Sequence, residues 1–169
     1  MKIVVKTKKQ TGFSLIEILI VIAIMGIVAM TSSFAWQRYV NNANLRTAAR
    51  QMESDIKTMK GRALAADATL TMNFNKAANT YTKNNGSTVE TVSLASFGKG
   101  IYIDTLPGAG TTYTLSFLAR GLLSPAPTAQ QNCSTTTSTC WIVVKNSQPS
   151  QATITFNLTG KTYVTFAMQ

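Results

Sequence analysis

The sequence reads Gly12-Phe13-Ser14-Leu15-Ile16-Glu17 at the junction between a lysine-rich leader and a long apolar run. Lys8 and Lys9 precede this stretch, and no charged residue follows Glu17 until Arg38. A carboxylate at the head of a membrane-length apolar segment is costly in a bilayer, so its presence requires a reason. The stretch therefore predicts where a long N-terminal helix begins and where the leader ends.

The apolar run is long enough to span a bilayer as a helix. Ile18–Gln37 contains twenty residues without a charge. Its Ile, Leu and Val residues favour insertion by roughly 3–5 kcal/mol, and Glu17 costs less at the end of the run than at its centre. Two alternatives are a secretory signal peptide cleaved after Ser33-Phe34-Ala35 and an uncleaved single-span anchor. Both alternatives leave Glu17 without a role.

Charge separates the leader from the rest of the chain. The net charge is +10, and four of the sixteen basic residues lie in the leader, namely Lys2, Lys6, Lys8 and Lys9. Basic residues before an apolar run hold that end of the chain in the cytoplasm. The remaining chain keeps twelve basic and six acidic residues, an excess that indicates either a solvated charged face or the binding of an anionic partner.

Residues 38–66 continue the helix as an amphipathic segment. Apolar residues recur there at gaps of three and four, which is the spacing of one helix face. The stripe consists of Leu45, Ala49, Met52, Ile56, Met59 and Ala63. We predict that this face packs on a β-sheet of the same chain.

Residues 67–169 change to short alternating runs separated by turn residues. Asn84-Asn85-Gly86 is a strong hairpin turn. Ser124–Gln131 and the loop between the cysteines are expected to be exposed excursions. The predicted strands are Thr69–Phe74, Thr80–Lys83, Thr88–Leu94, Ile101–Ile103, Tyr113–Phe117, Trp141–Val144, Thr153–Phe156 and Tyr163–Phe166. One long helix followed by short strands predicts an α+β fold.

The N-terminal pattern resembles the processing site of type IV pilin-like proteins. The resemblance rests on the lysine-rich leader, on the stretch from Gly12 to Glu17, and on the apolar run with Gly26 inside it. It implies that a dedicated prepilin peptidase cuts between Gly12 and Phe13. It also implies that Phe13 becomes an N-methylated N-terminus and that Glu17 serves assembly by pairing with the new amine.

The resemblance also implies a pilin fold, in which a long helix packs on an antiparallel β-sheet head. Residues 1–12 would be the leader, 13–37 the transmembrane and assembly half of the helix, 38–66 its amphipathic half, and 67–169 the head. Such a chain is a structural subunit and not an enzyme. It is inserted once in the bacterial inner membrane and later forms part of a periplasmic or extracellular filament. Its partners would be other pilin or pseudopilin subunits, the prepilin peptidase/methyltransferase and the inner-membrane assembly platform.

The head resembles the GspH/FimT branch of this family, which contains pseudopilins and minor pilins. Phe117-Leu118-Ala119-Arg120-Gly121 is similar to the Phe-x-x-x-Gly stretch of that branch, and Thr155–Lys161 is similar to its closing strand–turn–strand. The frequent Pro of the family's first helix is absent, and Phe34 occupies its place. The expected function is a minor subunit of a type IV pilus or of a type II secretion pseudopilus, with a major pilin as an alternative.

A second alternative is a pilus-tip receptor for DNA or another anionic ligand. Some members of the FimT side resemble DNA receptors and have a Gly-Arg-x-Arg element near the C-terminus. The corresponding Gly160-Lys161-Thr162-Tyr163 has one basic residue where that element has two. The candidate contacts for an anionic ligand are Arg120, Lys145 and Lys161.

The residues that usually carry catalysis or bind metals are scarce. Cys133 and Cys140 enclose six Ser and Thr residues, and in an exported chain they are expected to form a disulfide. The chain contains no His, which excludes Ser-His-Asp and Cys-His arrangements. Two thiols alone would leave a metal ion under-coordinated. We expect neither an enzyme nor a metal or cofactor site.

Overall fold

The computed structural model describes residues 12–124, 133–134 and 139–169. The side chains at 31–35 and 133–134 are outside this description, as are the leader lysines. The chain divides into two compact units, Met1–Gln37 and Arg38–Gln169.

One helix, α1 (Leu15–Ala66), extends over 52 residues. It begins after Ser14, whose carbonyl oxygen accepts hydrogen bonds from the N–H groups of Glu17 and Ile18 at 3.0 and 3.3 Å. It ends where Ala68 N–H donates to the carbonyl of Ala63 at 3.2 Å and the intervening Asp67 adopts a left-handed φ of 48°. This bond pattern satisfies a carbonyl that would otherwise be unpaired at the helix end.

Ten strands and one short 3₁₀ helix follow α1 in the part of the chain that the structure describes. The strands are β1 (Leu70–Asn75), β2 (Thr80–Asn84), β3 (Val89–Ser93), β4 (Tyr102–Thr105), β5 (Thr112–Phe117), β6 (Leu123–Ser124), β7 (Cys133–Ser134), β8 (Thr139–Lys145), β9 (Gln151–Asn157) and β10 (Thr162–Ala167), and the 3₁₀ helix is Leu94–Ser96. They form two antiparallel sheets, ordered β3-β2-β1-β5-β6 and β10-β9-β8-β4, with β7 also paired to β8. The fold is therefore α+β, with a helix packed on antiparallel sheets, as predicted.

The eight predicted strands are all present, with ends shifted by no more than two residues. β6 and β7 were missed because two-residue strands leave no alternating pattern to recognise. The prediction that the whole cysteine loop is an exposed excursion was wrong at its ends, because Cys133 lies in β7 and Cys140 is buried in β8. Residues 125–132 and 135–138, which belong to the predicted excursions, lie outside the described residues.

The predicted apolar stripe of α1 forms the centre of the core in the unit Arg38–Gln169. Its six residues are each at most 1 % exposed, and Ala48 joins them. They pack among buried side chains from both sheets, including Met72, Leu115, Ile142 and Ile154. Burying one large apolar side chain stabilises a fold by roughly 1.5–3 kcal/mol, so this stripe is a major source of stability for the unit.

Aromatic rings connect the two sheets within this core. Phe74 on β1 lies 5.9 Å from Tyr81 and 6.3 Å from Tyr113, measured between ring centroids. Tyr113 on β5 lies 6.2 Å from Phe156 on β9 in the other sheet. The inner faces of both sheets therefore share one aromatic cluster.

A buried carboxylate ties α1 to the first sheet. Asp55 is only 7 % exposed, and its side chain accepts hydrogen bonds from Tyr81 Oη at 2.6 Å, Gln51 Nε2 at 3.2 Å and Lys83 Nζ at 3.3 Å. Lys83 also forms an ion pair with Glu90 at 3.1 Å. A buried charge is tolerated only when it is paired and hydrogen-bonded, and Asp55 meets both conditions.

The two buried tyrosines provide a matched pair of substitutions. Tyr81→Phe removes a hydrogen bond to a buried carboxylate and should lower the free energy of unfolding by about 1.5–3 kcal/mol. Tyr113 Oη has no hydrogen-bond partner among the described residues, so Tyr113→Phe should be neutral or stabilise by up to about 1 kcal/mol. Urea unfolding at pH 7 measures both variants, and equal losses would contradict the assignment of the Asp55 network.

The buried hydroxyl of Tyr113 also predicts how the stability of the fold depends on pH. Burial raises the pKa of Tyr81, with Asp55 adding to the effect, and burial alone raises the pKa of Tyr113. A pKa raised by folding contributes stability that is present below the unfolded-state value, near 10, and is lost as the pH rises above it. Tyr113→Phe should therefore lose less stability than the wild type between pH 9 and pH 11.

Candidate processing and assembly site

The predicted cleavage junction lies in exposed, non-helical backbone. Gly12, Phe13 and Ser14 precede the first residue of α1, and Phe13 is 79 % exposed. A Cβ placed on Gly12 would have no atom within 4 Å. Exposed irregular backbone is the kind of segment that a peptidase can bind, so the junction between Gly12 and Phe13 is accessible.

Glu17 lies exposed in the first turn of α1. Ser14 and Glu17 have the Ser-x-x-Glu spacing of a helix capping box, a local signal that the sequence-based prediction did not use. A carboxylate in the first turn also interacts favourably with the helix dipole, by about 0.3–1 kcal/mol. Glu17 forms no ion pair with any residue that the structure describes.

The first part of α1 exposes its apolar side chains on all sides. Thirteen large apolar side chains between Phe13 and Met30 are between 47 % and 82 % exposed. Soluble monomers rarely expose so large a contiguous apolar surface, and such surfaces mark interaction with protein or membrane.

A bilayer span was predicted for Ile18–Gln37. Within the described residues, the structure contains no helix that combines the length and apolar character required to cross a membrane. Residues 31–35, which belong to the predicted span, lie outside the described side chains.

Lys145, a predicted contact for an anionic ligand, is engaged within the head. Its Nζ lies 2.9 Å from the carboxylate of Asp104. The hydrogen bond from Lys145 holds the pKa of Asp104 below its usual value against the opposing effect of burial, and Thr105 contributes to the same shift. The same carboxylate raises the pKa of Lys145. An incoming anion would therefore compete with Asp104 for this cation.

Two turns of the head lie against neighbouring positions of α1. A Cβ at Gly121 would be 3.0 Å from Leu64 Cδ2, and a Cβ at Gly160 would be 2.6 Å from Lys60 Cδ. Both glycines have positive φ, at 74° and 75°, which L side chains rarely adopt. Because Lys60 and Leu64 are one helical turn apart, the two turns meet at the same end of the helix.

These turns bring two of the three predicted ligand contacts to one end of the head. Arg120 precedes Gly121, Lys161 follows Gly160, and neither side chain is buried. Lys60 of α1, which lies against Gly160, donates from Nζ to the carbonyl of Thr159 at 2.7 Å. Neither Arg120 nor Lys161 forms an ion pair with a carboxylate that the structure describes.

Lys145 lies at the other end of the head. The adjacent Asn146 donates from Nδ2 to Oδ1 of Asn42 on α1 at 3.0 Å. From Asn42 to Lys60 the helix rises by about 27 Å. The structure therefore brings Arg120 and Lys161 together and leaves Lys145 in a separate region.

The cysteines face each other in the backbone register. Cys133 on β7 is the direct partner of Cys140 on β8. No group of three or more His, Cys, Asp or Glu side chains that could hold a metal ion occurs among the residues searched, which are those described by the structure.

Comparison with known families identifies the N-terminal segment. Residues 7–33 match the family model described as the prokaryotic N-terminal methylation motif. Comparisons with curated proteins and with solved structures gave no match. The matched segment contains Gly12, Phe13 and Glu17, so the residues that carry the resemblance lie inside it. The matched segment is a type IV pilin-like signal, and such a signal points to a structural protein.

Proposed function

We propose that the chain is a structural subunit of a type IV pilus or of a type II secretion pseudopilus, in the role of a minor pilin or pseudopilin of the GspH/FimT type. The observation that carries the proposal is the methylation motif at residues 7–33, within which a helix begins at Leu15 and exposes its apolar side chains. Prepilin peptidase/methyltransferase would cut between Gly12 and Phe13 and methylate Phe13.

The apolar segment at 13–37 would lie in two environments in succession. Before assembly it would hold the subunit in the inner membrane, where lipid tails cover its side chains. After extraction by the assembly platform, helices of neighbouring subunits would replace the lipid in a periplasmic or extracellular filament. Each environment removes from water the surface that thirteen large side chains expose between Phe13 and Met30.

The first test is the mass of the mature N-terminus. Processing removes residues 1–12 and adds one methyl group, so we expect the isolated chain to begin at N-methyl-Phe13. Intact-mass spectrometry and N-terminal peptide mapping of the chain purified from its native cell measure this directly. A start at Trp36 would indicate a cleaved secretory signal peptide, and an intact Met1 would indicate an uncleaved anchor; either result refutes the proposal.

The second test concerns Glu17, for which two roles compete. If Glu17 acts only as a capping residue, Gln can replace it, because the side chain of either residue can accept a hydrogen bond from the backbone N–H of the N-cap residue Ser14. As a partner for the amine of Phe13 it requires its charge, because an amine in an apolar bundle is costly without a counter-ion. In the proposed role, both Glu17→Gln and Glu17→Leu are cleaved normally, and both are depleted at least about tenfold from sheared filaments.

Quantitative immunoblotting of filament and membrane fractions separates the two roles. Normal incorporation of Glu17→Gln together with loss of Glu17→Leu would assign Glu17 to capping alone. Normal incorporation of both variants would show that Glu17 has no role in assembly. Cleavage is scored on the same samples from the size of the chain.

We also propose a disulfide between Cys133 and Cys140. Directly opposed residues of an antiparallel pair have Cα atoms about 4.5–5.5 Å apart, which lies within the range that a disulfide bridges. The two cysteines are such partners in β7 and β8. In the oxidising periplasm the bond would close the loop between these strands.

A second candidate function is an anionic-ligand receptor at the pilus tip, and DNA is the ligand to test. The observation that favours it is the convergence of Arg120 and Lys161 at one end of the head without carboxylate partners among the described residues. Phosphate contacts from Lys and Arg are sequence-independent and weaken as salt rises. The departure from the Gly-Arg-x-Arg element at Lys161 counts against high affinity.

Charge-removing variants test this candidate. In an electrophoretic shift assay with the processed chain, Arg120→Ala/Lys161→Ala should abolish a DNA shift at low salt. Lys145→Ala should leave the shift within about twofold, because Lys145 already pairs with Asp104 and lies in a separate region. The absence of any wild-type shift at low salt would exclude DNA binding and leave the structural role unaffected.

A further inference from the structure

The described part of the chain contains far more cations than its own carboxylates can neutralise. Of its twelve Lys and Arg residues, Lys57, Lys83 and Lys145 are the ones that form ion pairs with described residues. Four of the six carboxylates are used in those pairs, and the two outside them are Glu17 and Asp67. The remaining cations must be neutralised by solvent ions or by a partner.

Two of these cations lie on an exposed side of α1, next to the buried stripe. Arg46 and Arg50 are both exposed, whereas Leu45, Ala49 and Met52, which face the core, are completely buried. A groove of about 330 Å³ runs along the exposed face. Its lining residues are Tyr39, Asn42, Ala43, Arg46, Thr47 and Arg50, and we call this surface the arginine face.

The arginine face has the geometry of a helix–helix seam. Tyr39, Ala43, Arg46 and Arg50 recur at gaps of four, three and four, so they follow one line along α1. The small side chain of Ala43 leaves room in the middle of that line for a neighbouring backbone. The guanidinium of Arg50 lies 5.9 Å from the ring centroid of Phe166, a cation–π contact that holds its position.

A second copy of this chain is a poor occupant for the arginine face. Most of its carboxylates are already paired internally, so it would bring further cations to an arginine pair. A phospholipid surface is also a poor match for a helix that stands on the membrane. Arg46 and Arg50 lie about 12 and 18 Å along α1 beyond Arg38, the first charged residue after the apolar run, whereas the headgroup layer on each side of a bilayer is only about 5–8 Å thick.

We propose that the arginine face docks an acidic helix of a different subunit, with carboxylates one turn apart that pair with Arg46 and Arg50. This inference rests on the proposed function, because it assumes that the chain is assembled beside other pilin-like subunits. Two cations one turn apart match two carboxylates at the same spacing, and guanidinium groups bind carboxylates in a bidentate manner. The partner would therefore be specified by charge as well as by shape.

Photo-crosslinking of the full chain in its native cell tests the proposal. A photoreactive phenylalanine analogue replaces Thr47 within the arginine face, or Thr58, an exposed control on the same helix. We expect the Thr47 probe to form an adduct with a different pilin-like subunit, mapped by mass spectrometry to a helix with two carboxylates one turn apart. Arg46→Glu/Arg50→Glu should reduce this adduct about tenfold.

Further variants separate loss of docking from loss of folding. Arg46→Glu alone leaves the Arg50–Phe166 contact intact and should still reduce the adduct severalfold. Arg62→Glu/Lys99→Glu changes the net charge by the same amount as the double variant and should leave the adduct unchanged. Replacement of the mapped carboxylate residues of the partner by Arg again places opposite charges together. This change should restore adduct formation by the Arg46→Glu/Arg50→Glu chain.

Four outcomes would overturn the inference. The Thr47 probe could cross-link to a second copy of this chain, cross-link to phospholipid, give no adduct, or give an adduct whose yield is unchanged by Arg46→Glu. The N-terminal mass of the same sample keeps the two proposals separate. A chain that begins at N-methyl-Phe13 but shows one of these outcomes refutes the docking and leaves the subunit role intact.

Discussion

The packing of one apolar stripe of α1 on the two sheets determines how the rest of the head is organised. Because Leu45 and Met52 point into the core, the arginines between them must point outward. Asp55 lies on the same buried side, and its hydrogen bonds to Tyr81 and Lys83 fix the helix against β2. A rotation of α1 by one residue would separate this carboxylate from Tyr81 and Lys83, so the polar contact makes the apolar packing specific.

The ion pairs of the head also influence what the protein can assemble with. Lys57, Lys83 and Lys145 form ion pairs with four carboxylates, so the charged side chains outside these pairs are mostly basic. Stacking many identical copies of a basic head accumulates repulsion that increases with each neighbour. A subunit present once or a few times in a filament avoids this cost. Within the proposed function, this charge distribution favours a minor role over that of a bulk fibre subunit.

The helix, its buried stripe and eight strands were predictable because each leaves a periodic pattern in the sequence. The Asp55 network was not predicted, although Asp55 follows Met52 by three residues and precedes Met59 by four, which places a carboxylate at a stripe position. Its partner Tyr81 lies 26 residues away, and no local pattern indicates that distance. Asn42 has a modest helix propensity, yet its side chain binds the carbonyl of Gln169 at the C-terminus. The Ser-x-x-Glu spacing of Ser14 and Glu17 is by contrast a local pattern that the sequence alone displays.

The two roles of Glu17 differ in when they act. Capping and the helix dipole act in the precursor as well as in the mature chain, but together they contribute only about 1–2 kcal/mol and do not both require a charge. The amine of Phe13 does not exist until the peptide bond after Gly12 is cut. In the proposed function, cleavage therefore creates the counter-ion that makes a carboxylate acceptable inside an apolar bundle. An uncut precursor would bring the same carboxylate to the bundle without its partner, so processing would precede assembly for an electrostatic reason and not only because a leader is in the way.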